Sequence, residues 1–344
     1  MKRILSILIV LVMVSVVLVG CQSKAPAQTN ADTQSGDNGK IYEMVLASGS
    51  AVESSVTQAL LKYKEYVDEH SNGRIVVNVY PNSQLGGERE IVEGIQSGSI
   101  TLHAGSSAPQ VNFVPAAVIF DMPFCFPNIE KSREVLSDSR FLDVIGAKYE
   151  EAGMKLVAIS DGGFRTLTAN KPVKTPADLK GMSVRTMENK YHLATWKELG
   201  ANPTPLAFNE LYTALQQGTV DAQENPLELI ASQKFYEQQD YVIMTNHVHH
   251  TTPIIMNLDF YNSLPEDLQR ILDDAAEVSR KAALDYTDSN LESNRKKIEE
   301  SGTAFIDLTS EELKVFADKA KNVWALIEKD CDPEVYNTFV KLLD

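Results

Sequence analysis

Asp161-Gly162-Gly163-Phe164-Arg165-Thr166-Leu167-Thr168 opens a run of 66 residues on which the reading of this chain turns. The run continues through Asp178-Leu179-Lys180-Gly181-Met182-Ser183-Val184-Arg185-Thr186 and Pro203-Thr204-Pro205-Leu206-Ala207-Phe208. It closes on Leu211-Tyr212-Thr213-Ala214-Leu215-Gln216-Gln217-Gly218 and Asp221-Ala222-Gln223-Glu224-Asn225-Pro226. Val184 and Thr186 flank Arg185 on a predicted strand, so its guanidinium faces away from theirs. Leu156, Ala158, Phe164 and Leu167 predict a chain that runs extended from one lobe into another. Thr175-Pro176-Ala177-Asp178 signals a helix start, and Gly181 ends the short helix that follows. Two strand arginines in one stretch supply what a carboxylate needs, planar donor pairs that stay charged at any working pH. A solvated or salt-bridged arginine is the plainer reading of either.

These motifs resemble the signature region of the solute-binding proteins of TRAP (tripartite ATP-independent periplasmic) transporters, the DctP-like family that captures organic acids outside the cell. The likeness extends more loosely from about Ile41 to the C-terminal helix. It implies a two-lobed, periplasmic-binding-protein-like (type II) α/β fold with hinge strands and a long helix spanning both lobes. It also implies capture of a small organic acid, a dicarboxylate or a sugar acid, by lobe closure, and delivery to TRAP membrane permease subunits. No catalytic residue, cofactor or metal is expected.

Residue by residue, Arg185 matches the arginine of the family's Lys-Gly-x-x-x-Arg strand, its main carboxylate clamp, and Arg165 is a second ligand arginine. Asn225 matches the asparagine of the Gln-Glu-Asn-Pro loop, and also reads as a turn residue before Pro226. Phe208 matches an aromatic that flanks the ligand, or is a core aromatic. Ser48, Glu88 and Ser106, beyond first-lobe strands, are either substrate-dependent contacts or caps and loop polars. Glu188, followed by Asn189, Tyr191 and His192, is placed to meet hydroxyl groups of a larger acid. One departure is Ala222, where the family usually has Gly; a positive φ there would cost Ala about 1 kcal/mol.

The 344 residues, 43% of them apolar, favour two lobes over a single core. With 32 Lys and Arg against 47 Asp and Glu, the formal net charge is -15, which argues against nucleic acid as a partner. An acidic protein that binds anions must concentrate its positive charge locally. At the start, Met1-Lys2-Arg3 precedes a 16-residue apolar run over 4–19, the length of a signal h-region and short for a membrane span of ~20 residues. Leu18-Val19-Gly20-Cys21 resembles the lipobox of bacterial lipoproteins, which implies an acylated Cys21 as mature N-terminus. An ordinary cleaved signal and an uncleaved anchor are the alternatives. Residues 1–20 are accordingly read as signal peptide and 21–39 as a flexible tether, spanning ~23 Å root-mean-square. The protein is then extracytoplasmic, held by lipid to the outer face of the cytoplasmic membrane.

From Ile41 to Ala104 a β-α-β-α-β alternation predicts α/β layering with a largely parallel sheet and ligands at its carboxyl ends. The first lobe is assigned 40–162 and 251–290, the second 163–250 and 291–344. Residues 113–126 read as core and hinge, 227–239 as helix, and 241–244 and 254–258 as separate strands. Pro265 opens a helix running to Ser301, whose 37 residues reach ~55 Å, enough to span both lobes. Two amphipathic helices finish the chain, one carrying Leu313, Phe316, Ala320, Val323 and Leu326, the other Val335, Phe339 and Leu342. Cys125 and Cys331 read as isolated thiols. His247 and His249 share a face if extended, but lack a carboxylate or cysteine at ligand spacing and read as structural histidines. No G-x-S-x-G, H-E-x-x-H, G-x-G-x-x-G or P-loop pattern occurs, which disfavours a secreted α/β enzyme. The binding protein of an ATP-driven importer and a ligand sensor are the other rivals.

Overall fold

The computed structural model describes residues 39–344. The segments expected as signal peptide and tether, Cys21 included, lie outside them except for Gly39. Residues 40–344 form one compact unit, and all four apolar clusters lie inside it.

The first lobe starts with β1 (Tyr42–Ala47), α1 (Ser55–His70), β2 (Ile75–Tyr80), α2 (Glu88–Ser97) and β3 (Leu102–Ala104). The Ser54 hydroxyl caps α1 by accepting from the Thr57 N–H, and Gly98 ends α2 in the left-handed region at φ 78°. Next come α3 (Ser107–Gln110), a 3₁₀ segment (Pro115–Asp121), α4 (Ile129–Ser137) and α5 (Ser139–Glu151). β4 (Met154–Ala169) crosses into the second lobe. That lobe contains β5 (Ser183–Thr186), α6 (Lys190–Leu199), β6 (Asn202–Pro205), α7 (Leu211–Gln216), β7 (Ala222–Asn225) and α8 (Leu227–Ser232). β8 (Tyr241–Asn257) crosses back, followed by α9 (Leu258–Asn262), α10 (Glu266–Glu300), β9 (Ala304–Ile306), α11 (Ser310–Ala320), α12 (Asn322–Asp330) and α13 (Pro333–Leu343).

One sheet runs through the molecule in the order β2-β1-β3-β8-β4-β7-β5-β6, with β9 beside β8. The flanks are parallel, as the alternation predicts, while β4 and β8 form a long antiparallel pair at the centre. Their register shifts between Asp161 and Phe164, so residues 162–163 bulge where the pair passes from one lobe to the other. α10 bridges the same junction. Leu268, Leu272 and Ala275 pack with α1 in the first-lobe cluster, and Ile298 joins the second-lobe cluster around Phe235. Among the described residues no helix is long and apolar enough to cross a membrane.

Several expectations are corrected. Residues 241–244 and 254–257 belong to one 17-residue strand, because most of the polar residues between them are buried and paired instead of looped out, and Leu258 begins α9. His247 meets Thr245 and Glu224, and His249 meets Thr251. The 227–239 segment is two short pieces, broken at Lys234 with φ 57°. The short helix at 178–181 is a 3₁₀ turn, Pro176–Leu179, closed by a capping box between Thr175 and Asp178. Ala222 starts a buried strand and is not among the positive-φ residues, so the strain considered for it does not arise. The first of the two C-terminal helices is split into α11 and α12 at Lys321. Val323, Ile327, Val335 and Phe339 join the apolar cluster that also holds Ile145 of α5 and Tyr191 of α6. Phe339 meets Phe141 of α5 at 5.4 Å between ring centroids.

Candidate functional site

Strand pairing brings the two arginines together. Thr166 of β4 lies opposite Asn225 of β7, and Arg185 of β5 lies opposite Gln223 on the other edge of β7. Arg165 and Arg185 are both almost wholly buried, each 1% exposed, yet their surroundings differ.

Arg165 is committed to the protein. Its Nε donates to Glu224 Oε2 at 2.5 Å and its Nη2 to Oε1 at 2.8 Å, the bidentate geometry of guanidinium on carboxylate. Nη2 also donates to the Glu224 carbonyl at 2.6 Å and to Asn225 Oδ1 at 3.0 Å, and Nη1 donates to His250 Nδ1 at 2.8 Å. Glu224 takes a further bond from His247 Nε2 at 3.0 Å. Burial works to raise the Glu224 carboxyl, but Arg165 and His247 outweigh it and hold the group well below the usual carboxylate range. Burial and the neighbouring guanidinium keep His250 neutral.

Arg185 is held from one side. Nε and Nη2 donate to the Leu206 carbonyl at 2.9 and 2.6 Å, fixing the plane of the group. Nη1 is buried and has no hydrogen-bond partner among the described residues. Burial lowers this guanidinium to about 10, so it stays charged at neutral pH. A buried charge with an open donor edge is costly unless something anionic meets it.

Across from the arginines, the first lobe presents Glu88, the first residue of α2, and Ser106, the N-cap of α3. Gly49 and Gly105 leave room for Glu88: a Cβ on the first would lie 2.9 Å from its Cγ, and on the second 2.8 Å from its Oε1. The Ser106 N–H donates to Glu88 Oε1 at 3.3 Å, while the Ser106 hydroxyl meets Met187 Sδ of the other lobe at 3.3 Å. Glu228 on α8 also reaches across, accepting from the Ser55 hydroxyl at 2.6 Å and the Ser55 N–H at 3.3 Å. Burial raises the carboxyls of Glu88 and Glu228 to about 7 each, against the pull of these donors. The lobes thereby border a cleft between them.

Arg165, Arg185, Asn225, Phe208, Glu88, Ser106 and Glu188 all line this cleft, and Ser48 does not. The Ser48 hydroxyl is turned inward to accept from the Ser50 N–H at 3.1 Å, and Ser50 lines the cleft in its place. Asn225 is also tied to protein, donating to Gln223 Oε1 at 2.6 Å, and it ends a strand instead of occupying a loop. Asn189, Tyr191 and His192 turn away where α6 begins. Asn189 caps that helix and donates to Asp121, His192 pairs with the same carboxylate, and Tyr191 donates to Asp330. Glu224, Glu228 and His250 were not foreseen. For Glu224 and His250 the one sequence signal is a run of polar residues on largely buried strands, and for Glu228, on α8, there is none. Among the described residues no group of three or more His, Cys, Asp or Glu is placed to hold a metal.

Residues 46–330 match the family described as bacterial extracellular solute-binding protein, family 7 (DctP). A solute-binding protein of Verminephrobacter eiseniae is 38% identical over 272 residues, 78% of each chain. The C4-dicarboxylate-binding periplasmic protein of Rhodobacter capsulatus is 33% identical over 256 residues, 73% of this chain and 76% of that one. A solved TRAP periplasmic solute-binding protein of Polaromonas sp. JS666, bound to D-erythronate, aligns with a TM-score of 0.83 at 29% identity, over 88% of this chain and 98% of that one.

Proposed function

The chain belongs to the bacterial extracellular solute-binding proteins of family 7, the solute-binding subunits of TRAP transporters, and on that premise we propose that its lobes close on a small organic acid whose carboxylate meets Arg185. The observation that carries this reading is the buried Nη1 of Arg185, unpartnered on the wall of the interlobe cleft. With Nη2 beside it, Nη1 forms an edge of two parallel donors, the shape a carboxylate fits. Arg165 acts mainly by orienting Asn225 and His250, and Phe208 closes the apolar side. One moving body comprises 40–162, 251–290 and α13, and the other 163–250 and 291–320, with α12 packed against both.

The role is capture and release without bond chemistry. Ser106, the hydroxyl beside Glu88, is a helix cap donating to a methionine sulfur and not a nucleophile held by a base. The loaded protein hands its acid to TRAP membrane permease subunits while tethered by an acylated Cys21. Replacing Cys21 by Ser removes membrane association in cell fractionation, since a buried lipid chain contributes ~0.8 kcal/mol per methylene. A variant still membrane-bound after signal cleavage overturns the anchor. For the site itself, residues 40–344 melt several degrees higher with some carboxylic acids and not with the matching amides, as ligand at 100 times Kd adds ~2.7 kcal/mol. Arg185→Lys, which keeps the charge and loses the fork, abolishes that shift. Stabilisation by amides or neutral sugars alone sinks the reading.

A further inference from the structure

The charged groups lining the cleft do not balance in favour of a highly charged ligand. Three guanidiniums line it: Arg89, Arg165 and Arg185. Arg89 is at the exposed mouth and pairs with Glu93 at 3.2 Å, and the fork of Arg165 is filled by Glu224. Only Arg185 among these offers an uncommitted donor edge. Against it stand two enclosed carboxyls, Glu88 and Glu228, and two at the mouth, Glu90 and Glu188.

We infer that the cleft selects acids with one carboxylate and with hydroxyl groups at the opposite end, and that Glu88 and Glu228 reject a second carboxylate. The inference rests on Arg185 as the carboxylate clamp. Once a ligand carboxylate occupies Arg185, the remaining wall holds no free cation for another, and a second anion would be buried beside two acidic side chains. Hydroxyl groups reverse the balance. Glu88 uses one oxygen to accept a long bond from the Ser106 N–H, and among the described residues nothing donates to the other. A carboxyl oxygen accepts from a hydroxyl whether or not the group is ionised. The space that Gly49 and Gly105 leave around Glu88 shows that the backbone makes way for this acidic group.

The test uses pairs matched in carbon number: D-erythronate against succinate, and D-gluconate against adipate, titrated calorimetrically into residues 40–344 at pH 7.5. The hydroxy monoacid of at least one pair binds ~100-fold more tightly than its diacid, and Glu88→Gln narrows that ratio ~10-fold by improving the diacid. A diacid that binds as tightly as its partner overturns the inference and leaves the clamp standing. So does a thermal panel in which only acids without hydroxyl groups stabilise the protein. If Glu88→Gln folds but weakens both members equally, Glu88 is no selector and the assignment falls. Failure of every acid, with amides binding instead, overturns the clamp itself and is told apart by that pattern.

Discussion

Arg165 and Arg185 differ in what their removal leaves behind. Arg165→Ala strands Glu224 as a buried carboxylate with only His247 beside it, and breaking a buried pair in this way costs about 3–5 kcal/mol. Arg185→Ala strands no anion, since its fixed partner is the Leu206 carbonyl. Ligand-free urea titrations therefore separate the two: the Arg165 variant unfolds early, and the Arg185 variant close to wild type. Equal midpoints would make Arg165 a ligand group and not a structural one. Acid should act through the same pair. Glu224 is held below the ordinary carboxyl value of 4.5 that its unfolded form takes, so its contribution is fully present above about 4.5 and is lost as pH falls through the folded value. In Glu224→Gln that loss below about 4.5 is shallower than in wild type. Both arginines were legible in the sequence, but their division of labour was not. It depends on Glu224, 59 residues from Arg165 and set opposite Leu167 by the β4–β7 register, which no local pattern specifies.

At the scale of elements, the parts read most easily were those with a strong apolar period. α1 and α10 follow their buried stripes, and α10 ends one residue short of the Ser301 boundary drawn from sequence. Only the ends of β8 were read as strand, because the buried residues of its middle are mostly Thr and His, polar groups satisfied only after β4 and β7 are in place. Glu228 was missed for a related reason, since its partner Ser55 is 173 residues away. α1 has no acidic residue in its first turn, and Glu228 brings one to its N-terminus from the other lobe. This bond exists only while the lobes are together. Glu228→Ala consequently speeds release of a bound acid by ~10-fold in stopped-flow chase, the effect of one charge-assisted hydrogen bond, with association unchanged. Unchanged release with weaker association would move Glu228 from latch to entry.

For the whole molecule, a net charge of -15 surrounds a site that takes an anion. The two scales of electrostatics separate by distance. The acidic surface acts on the approaching ligand through solvent, over a Debye length of ~30 Å at 0.01 M salt and ~10 Å at 0.1 M. Arg185 acts at contact, behind closed lobes and out of reach of mobile ions. Raising salt from 0.01 to 0.15 M should therefore weaken the long-range repulsion and leave the clamp untouched. The expected result is an association rate that rises ~2–5-fold and a release rate that stays within about twofold. Stopped-flow association and chase at the two ionic strengths measure both. The sign is informative, because a cleft that steered anions with its own positive field would show association falling as salt rises. That outcome would mean that Arg89, Arg165 and Arg185 project charge beyond the mouth despite their carboxylate neighbours, and that the acidic exterior has no part in capture.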